Sequence, residues 1–267
     1  MSFTQWLRTP KGYVMISIMA FMLIAAVYSK DFRGVLTSFI AVGVSVSADS
    51  LCASIAKKKR AFPDSAMITG MILALILSTS TSYYVVAATA LIAILSKYLL
   101  VFKKKPIFNP AAFGLLASIL LFKAGQSWWG AFGDLPAWTS VILLFGGYMI
   151  TNRVNKFPMV FSFLGTYFVF LLIMGIFHMG GAGDALRSPF LNATLFFALF
   201  MLTDPPTSPA KDRDQLIFGI LSAVIGAVVY GIFGGLMYLF IGLLVGNLYQ
   251  YVLKRVTAST KSAGISV

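Results

Sequence analysis

Two apolar runs in this sequence stop after about a dozen residues, each against a polar stretch that a membrane helix does not carry unaided. One runs from Asp64 into Ser78-Thr79-Ser80-Thr81-Ser82. The other runs from Leu191 into Thr203-Asp204-Pro205-Pro206-Thr207-Ser208-Pro209. At roughly 1.5 Å per helical residue, such a run falls short of a ~30 Å hydrocarbon core. Irregular backbone at that depth survives only where protein or a cavity satisfies its amide groups. The two breaks take the third place in their respective halves of the chain, and matched interruptions of this kind point to an intramembrane site.

Composition supports that setting. The chain is 59% hydrophobic and 11% charged, where soluble domains carry about 25% charged residues. The expected class is an integral membrane protein. The net charge of +13 does not argue for nucleic acid, because the cations sit in loops between apolar runs and read as topology signals. The first apolar run, Gly12 to Tyr28, is long enough to span and lacks a small-residue cleavage site, so no cleavable signal is expected. A single cysteine, Cys52, and a single histidine, His178, rule out an internal disulfide, a four-thiolate cluster and bis-histidine haem held by this chain alone. Any redox cofactor held within this chain is therefore expected to be organic. All eight acids are aspartates, and only Asp49 lies deep in an apolar run.

Spans are read at about 12–29, 34–56, 65–78, 83–102, 109–122, 138–151, 158–178, 190–202, 215–231 and 233–253. The last two are separated only by Tyr230-Gly231-Ile232-Phe233-Gly234. Ten spans put both termini on one side. Placing that side in the cytoplasm gathers Arg8, Lys11, Lys57, Lys58, Lys59, Arg60, Lys103, Lys104, Lys105, Arg153, Lys156, Lys211, Arg213, Lys254, Arg255 and Lys261 inside, and leaves Lys30, Arg33, Lys123 and Arg187 outside. This asymmetry follows the positive-inside rule in a cell membrane. The expected fold is all-α, a single multi-pass membrane domain over residues 1–267 with about ten transmembrane helices and short broken helices third and eighth. Five spans per half allow an inverted repeat, about 12–122 and 138–253; convergent use of short helices is the alternative.

Chemistry-bearing residues cluster at three segments of the inner side. Three prolines in the 203–209 segment remove amide donors and bar a continuing helix, leaving the hydroxyls of Thr203 and Thr207 and the carboxylate of Asp204 for a ligand or a rigid turn. Asn109 can cap a helix whose first residue is Pro110, and Ala111, Ala112 and Gly114 keep it slim enough for a planar ligand or a neighbouring backbone. Asp64 or Ser65 can cap the third span, with Thr69 and Gly70 giving it a small polar face. These segments can converge, because spans three and five start and span eight ends on the same side.

Asp49 is an intramembrane carboxylate and should be paired, neutral or facing a polar cavity, as an ion or proton relay or a ligand contact. Lys97, at similar depth, is a possible partner; snorkelling to the surface is its other reading. Gly242 and Gly246 have the spacing of close helix packing. Trp128, Trp129, Tyr83 and Tyr84 suit an outer interfacial belt.

The run Asp64-Ser65-Ala66-Met67-Ile68-Thr69-Gly70-Met71, then Phe108-Asn109-Pro110-Ala111, then Thr203-Asp204-Pro205-Pro206-Thr207-Ser208-Pro209 resembles the family that holds RnfD of the Rnf electron-transport complex and NqrB of the sodium-pumping NADH:quinone reductase. That resemblance implies an inverted five-plus-five fold, flavin binding, and electron transfer across a membrane coupled to ion movement in large complexes. It implies partners too: other membrane electron-transport subunits, a cytoplasmic donor and an outward-facing redox acceptor. Members carry FMN esterified to a threonine of an outward loop between the halves. The corresponding loop here, Lys123 to Trp138, contains no threonine, which argues against covalent FMN and for a noncovalent flavin, riboflavin or FMN. In this reading Asn109, Pro110, Thr203, Asp204, Thr207, Thr69 and Gly70 hold the cofactor. A transporter of a flavin or other small solute, or a cofactor-free membrane scaffold, are the rival readings.

Overall fold

A computed structural model describes residues 3–57, 62–133, 135–178 and 181–262. The basic residues Lys58, Lys59 and Arg60 lie outside the described residues, as does the side chain of Lys261. The chain is an all-α membrane protein with one small hairpin. Its helices are α1 (Phe3–Leu7), α2 (Pro10–Ser29), α3 (Arg33–Ile55), α4 (Asp64–Ile76), α5 (Tyr83–Leu99), α6 (Pro110–Phe122), α7 (Ser140–Val154), α8 (Phe157–Ile176), α9 (Ala182–Ala185), α10 (Phe190–Phe196), α11 (Asp212–Phe233) and α12 (Met237–Ser262). The hairpin pairs β1 (Val101–Phe102) with β2 (Lys105–Pro106) between α5 and α6.

Among the described residues, α2, α3, α8 and α11 are long and apolar enough to cross a membrane on length and composition alone. The apolar helices α4, α5, α6, α7 and α10 with the turn that continues it are shorter, and α12, though long, is not apolar enough to join the first group. Each segment read as a span holds a helix within a few residues of the expected limits, except that α12 runs on to Ser262. Gly234 and Gly235, both at φ 65°, make the tight connection between α11 and α12.

Helix starts follow their capping residues. The Thr9 hydroxyl accepts from the Gly12 amide at 3.2 Å ahead of Pro10, and Asn109 Oδ1 accepts from the Ala112 amide at 3.1 Å ahead of Pro110. α10 continues as a π-turn over Phe197–Met201 before it stops.

Three helix pairings recur in the two halves. In the first, α3 packs on α4 and α5, and α5 on α6; in the second, α8 packs on the π-turn of α10 and on α11, and α11 on α12. Gly242 allows a close approach of α12 to α11: a Cβ there would stand 2.4 Å from the Ser222 carbonyl oxygen. α2 lies against α4 and α7, and α6 against α12, joining the halves into one core.

The loop between α6 and α7 corrects one expectation. Tyr84 is 89% exposed, as a belt residue should be, but Trp128 and Trp129 are 0% and 8% exposed. The cause is the short α4. Its truncated end leaves carbonyls to satisfy, and residues 125–129 fold inward to reach them. Ser127 and Trp128 donate their amides to Ile76 O at 3.0 and 3.2 Å, Ser78 donates to Gly125 O at 3.0 Å, and the Trp129 indole donates to Ala74 O at 2.7 Å. An indole N–H buried in an apolar core needs such a partner.

Candidate functional site

The starts of α4 and α6 and the end of α10 meet at the end of the bundle that carries Lys11, Lys104 and Lys105, and there they enclose a cavity of about 660 Å³. Asp64, Ser65, Ile68, Thr69 and Ile72 contribute from α4; Asn109, Pro110 and Ala111 from the start of α6; Phe200, Thr203, Asp204, Pro205 and Pro206 from the second break. α2 adds Pro10, Lys11 and Val14, α7 adds Ile150 and Val154, and the hairpin adds Lys104, Lys105 and Pro106. Apolar walls with a few convergent polar groups are the usual make-up of a small-molecule site, and the volume falls in the usual range of about 300–1,000 Å³.

Most polar groups of the second break are already spoken for. Thr203 Oγ1 donates back to Leu199 O at 2.8 Å, Thr207 Oγ1 donates to Asp204 Oδ2 at 2.8 Å, and Ser208 Oγ donates to Asp204 O at 2.7 Å. Asp204 Oδ1 has no hydrogen-bond partner among the described residues, so a strong acceptor borders the cavity free to take a donor. Asn109 Nδ2 makes only one long contact, 3.5 Å to Met201 O.

Asn247 of α12 locks this arrangement. Its Oδ1 accepts from the Asn109 amide at 2.9 Å while its Nδ2 donates to Thr207 O at 3.1 Å, so one buried amide ties the start of α6 to the second break. Gln215 of α11 donates to Ala210 O and Asn155 O at 3.0 and 3.1 Å, and Lys156 donates its ammonium to Pro209 O. Burial pushes the pKa of Lys156, which sits in the connection between α7 and α8, down to about 8.

A second cluster adjoins the cavity. Lys97 Nζ and Asp49 Oδ1 form an ion pair at 2.8 Å, and Tyr98 donates to the same oxygen at 3.0 Å. Lys97 borders the cavity; Lys11, also at its edge, pairs with Asp64 at 2.7 Å. The Asp64 carboxylate also takes the Ser65 amide at 2.7 Å at the first turn of α4.

Of the residues singled out in the sequence, Asn109, Pro110, Thr203, Asp204, Thr69 and Lys97 border one cavity, and Asp49 is joined to it through Lys97. Thr207 stands behind Asp204. Gly70 is directed elsewhere: a Cβ there would lie 2.7 Å from Val42 Cα, so it lets α4 close on α3 and does not line the cavity. Sequence reasoning missed Asn247, Gln215 and Tyr98. The signal for the first two was an amide side chain in a span, which ought to be buried against an unpaired backbone group.

The sequence profile of the NQR2, RnfD, RnfE family matches residues 8–137 and 122–262, nearly the whole chain. The chain belongs to this family. Similar curated proteins include the D component of the ion-translocating oxidoreductase complex of Shewanella amazonensis, 31% identical over 113 residues, which are 40% of this chain and 30% of that protein. Its counterpart from Citrobacter koseri is 34% identical over 103 residues, 37% of this chain and 28% of its own length. The aligned stretch therefore spans under a third of each of these relatives, while the family profile covers both breaks and the start of α6.

Proposed function

We propose that the chain is a flavin-binding membrane subunit that passes electrons across the bilayer, from a cytoplasmic donor towards an outward-facing acceptor held by other membrane electron-transport subunits. The observation that carries this reading is the cavity itself, with Asp204 Oδ1 unpaired where the two unusual segments, 109–111 and 203–206, converge. A flavin supplies one- and two-electron chemistry when bound; the protein supplies binding, orientation and electrostatics. The residues suit that group. Asp204 Oδ1 can accept the imide N–H of an isoalloxazine ring, Asn109 Nδ2 can donate to an adjacent ring carbonyl, and the small surface of Pro110 and Ala111 admits a flat ring. The retention is noncovalent, since the 123–138 loop lacks a threonine and its 128–133 stretch is buried.

The pairings that recur in the two halves support ten spans in an inverted five-plus-five arrangement, and the excess of lysine and arginine at one end supports placing that end and both termini in the cytoplasm. The Asp49–Lys97–Tyr98 cluster beside the cavity is the proposed ion or proton relay, and the relatives' name, which places them in an ion-translocating oxidoreductase complex, is what connects such a relay to electron transfer. An absorbance spectrum of the gently purified protein, repeated after dithionite and after acid precipitation, tests the reading. A flavin spectrum that bleaches and leaves the precipitated protein is expected; a protein that neither carries nor takes up flavin overturns it. Paired broken helices also favour solute transport by alternating access. Flavin flux into proteoliposomes distinguishes the two, and none is expected here.

A further inference from the structure

The lysines around the second break differ in how their charge is met. Lys11 and Lys97, at the cavity edge, are neutralised by Asp64 and Asp49. Lys156 stands behind the break and is not among the residues bordering the cavity. It is 4% exposed and enters none of the ion pairs among the described residues. Its ammonium donates to Pro209 O. Topology alone does not account for this burial, because a cation that only sets topology stays in water. The local helix does not account for it either: Lys156 immediately precedes α8, and a helix N-terminus disfavours positive charge. One neutral carbonyl offsets only part of the cost of burying an ammonium. Asp204 is the complementary case. It is a partly buried carboxylate in none of those ion pairs, with one oxygen held by the Thr207 hydroxyl and the other free.

The backbone fixes these two charges relative to each other. Lys156 donates its amide to Thr151 O at 3.1 Å, and its neighbour Asn155 accepts from Gln215, which also donates to Ala210 O. Residues 155–156 are thus stapled to 209–210 by two side chains, and the amides of Thr207 and Ser208 turn back onto Asp204 O at 3.2 and 3.0 Å. Across this turn each group favours the charged form of the other. Burial acts against both, pushing Lys156 down to about 8 and Asp204 up to about 6, so both are charged between those values. From the cavity side Lys11 and Lys97 also favour the Asp204 carboxylate, each offset by its own aspartate. Asp212 supports the charge on Lys156 and Lys254 opposes it.

We propose that Lys156 is a positioning residue for the second break: its buried ammonium, fixed on Pro209 O, holds the Asp204 carboxylate ionised, and so keeps its free oxygen an acceptor towards the cavity. Lys156 acts through Asp204 and borders no ligand space itself, so the assignment does not rest on the flavin reading. Asp64, the other acid bordering the cavity, is met by Lys11 and leaves Asp204 as the carboxylate that depends on a charge from behind.

The test is a pH titration of the Asp204 carboxyl by infrared spectroscopy, on protein in lipid nanodiscs with no flavin added. The band of the protonated carboxyl is assigned by its loss in D204N. Wild type, K156R, K156Q and Q215L are compared, the last removing a neutral donor from the same turn. Wild type, K156R and Q215L are expected to share one midpoint, and K156Q to titrate about one pH unit higher. An unmoved midpoint in K156Q, or no such band in any variant, overturns the assignment. An equal rise in Q215L overturns it too, because loosening of the turn then explains the shift without charge. Should K156Q fail to fold, the reciprocal measurement decides. In D204N the nitrogen-15 resonance of the Lys156 ammonium, identified by its loss in K156R, is expected to titrate at lower pH than in wild type, and an unchanged midpoint overturns the assignment. None of these readouts uses flavin, so a protein that takes up no flavin removes the proposed function and leaves this result standing.

Discussion

The two broken helices solve the same problem with different groups. At the first break, the carbonyls left by the end of α4 are met mainly by backbone amides of the 125–128 segment plus one indole, that of Trp129, while the Trp128 ring packs on Phe240 of α12 and Phe196 of α10. At the second, the backbone after α10 is met by side chains: Asn247 on Thr207 O, Lys156 on Pro209 O and Gln215 on Ala210 O. The end of α4 is thereby closed over. The second break leaves an open cavity and an unpaired carboxylate oxygen. Backbone-to-backbone closure brings two main chains together and shuts the space, whereas long side chains reach across and keep it. One break is thereby structural and the other is suited to a ligand.

That contrast can be broken most severely at Asn247. Asn247→Ala leaves the Asn109 amide and Thr207 carbonyl unpaired in a buried place, so stability to thermal or chemical unfolding in detergent should fall by about 3 kcal/mol, and flavin content should fall with it. Retention of both would mean that the second break holds its shape without its side-chain clamp. Next come Asp49→Asn and Lys97→Met, each of which strands one partner of a largely desolvated pair. Either change alone should cost about 2 kcal/mol, and the double variant less than the sum, measured as a double-mutant cycle. A purely additive cycle would show that the pair beside the second break is not coupled.

At the first break, Trp129→Phe keeps an aromatic ring and removes the donor to Ala74 O. A loss of about 1 kcal/mol with unchanged flavin content is expected, and a loss of flavin would blur the distinction between the breaks. The smallest signal is a slope. Because the Lys156 pKa is lowered to about 8, the unfolded chain binds more protons than the folded one between pH 8 and 10.5. Stability should therefore rise with pH in that window relative to Lys156→Met, by well under ~1.4 kcal/mol per pH unit, the limit for one proton. Parallel pH profiles for the two proteins would contradict the burial of that ammonium.

Much of this contrast was legible in the residues. The breaks were visible because a run of apolar residues has a length, and length decides what a helix can span. The caps at Thr9 and Asn109 act within three residues, so Asn109-Pro110 announced its helix. What sequence could not show was which side chain crosses from a distant helix. Asn247 lies 138 residues from Asn109 and meets it only because α12 packs on α6. The two tryptophans illustrate the same limit from the other side: an aromatic beside a loop reads as interfacial until distant partners bury it, Phe240 and Phe196 for Trp128 and the Ala74 carbonyl for Trp129. Gly70 read as part of a polar face, yet its neighbour across the gap is the α3 backbone.

The most direct test of the central claim is a riboflavin and FMN titration of three proteins in parallel: wild type, Asp204→Asn at the second break, and Ser78→Ala/Ser80→Ala at the first. Saturable binding to wild type and to the first-break variant, with at least about a tenfold loss in Asp204→Asn, is the result this account predicts. Undiminished binding in Asp204→Asn, or a wild-type protein that takes up no flavin, would contradict it.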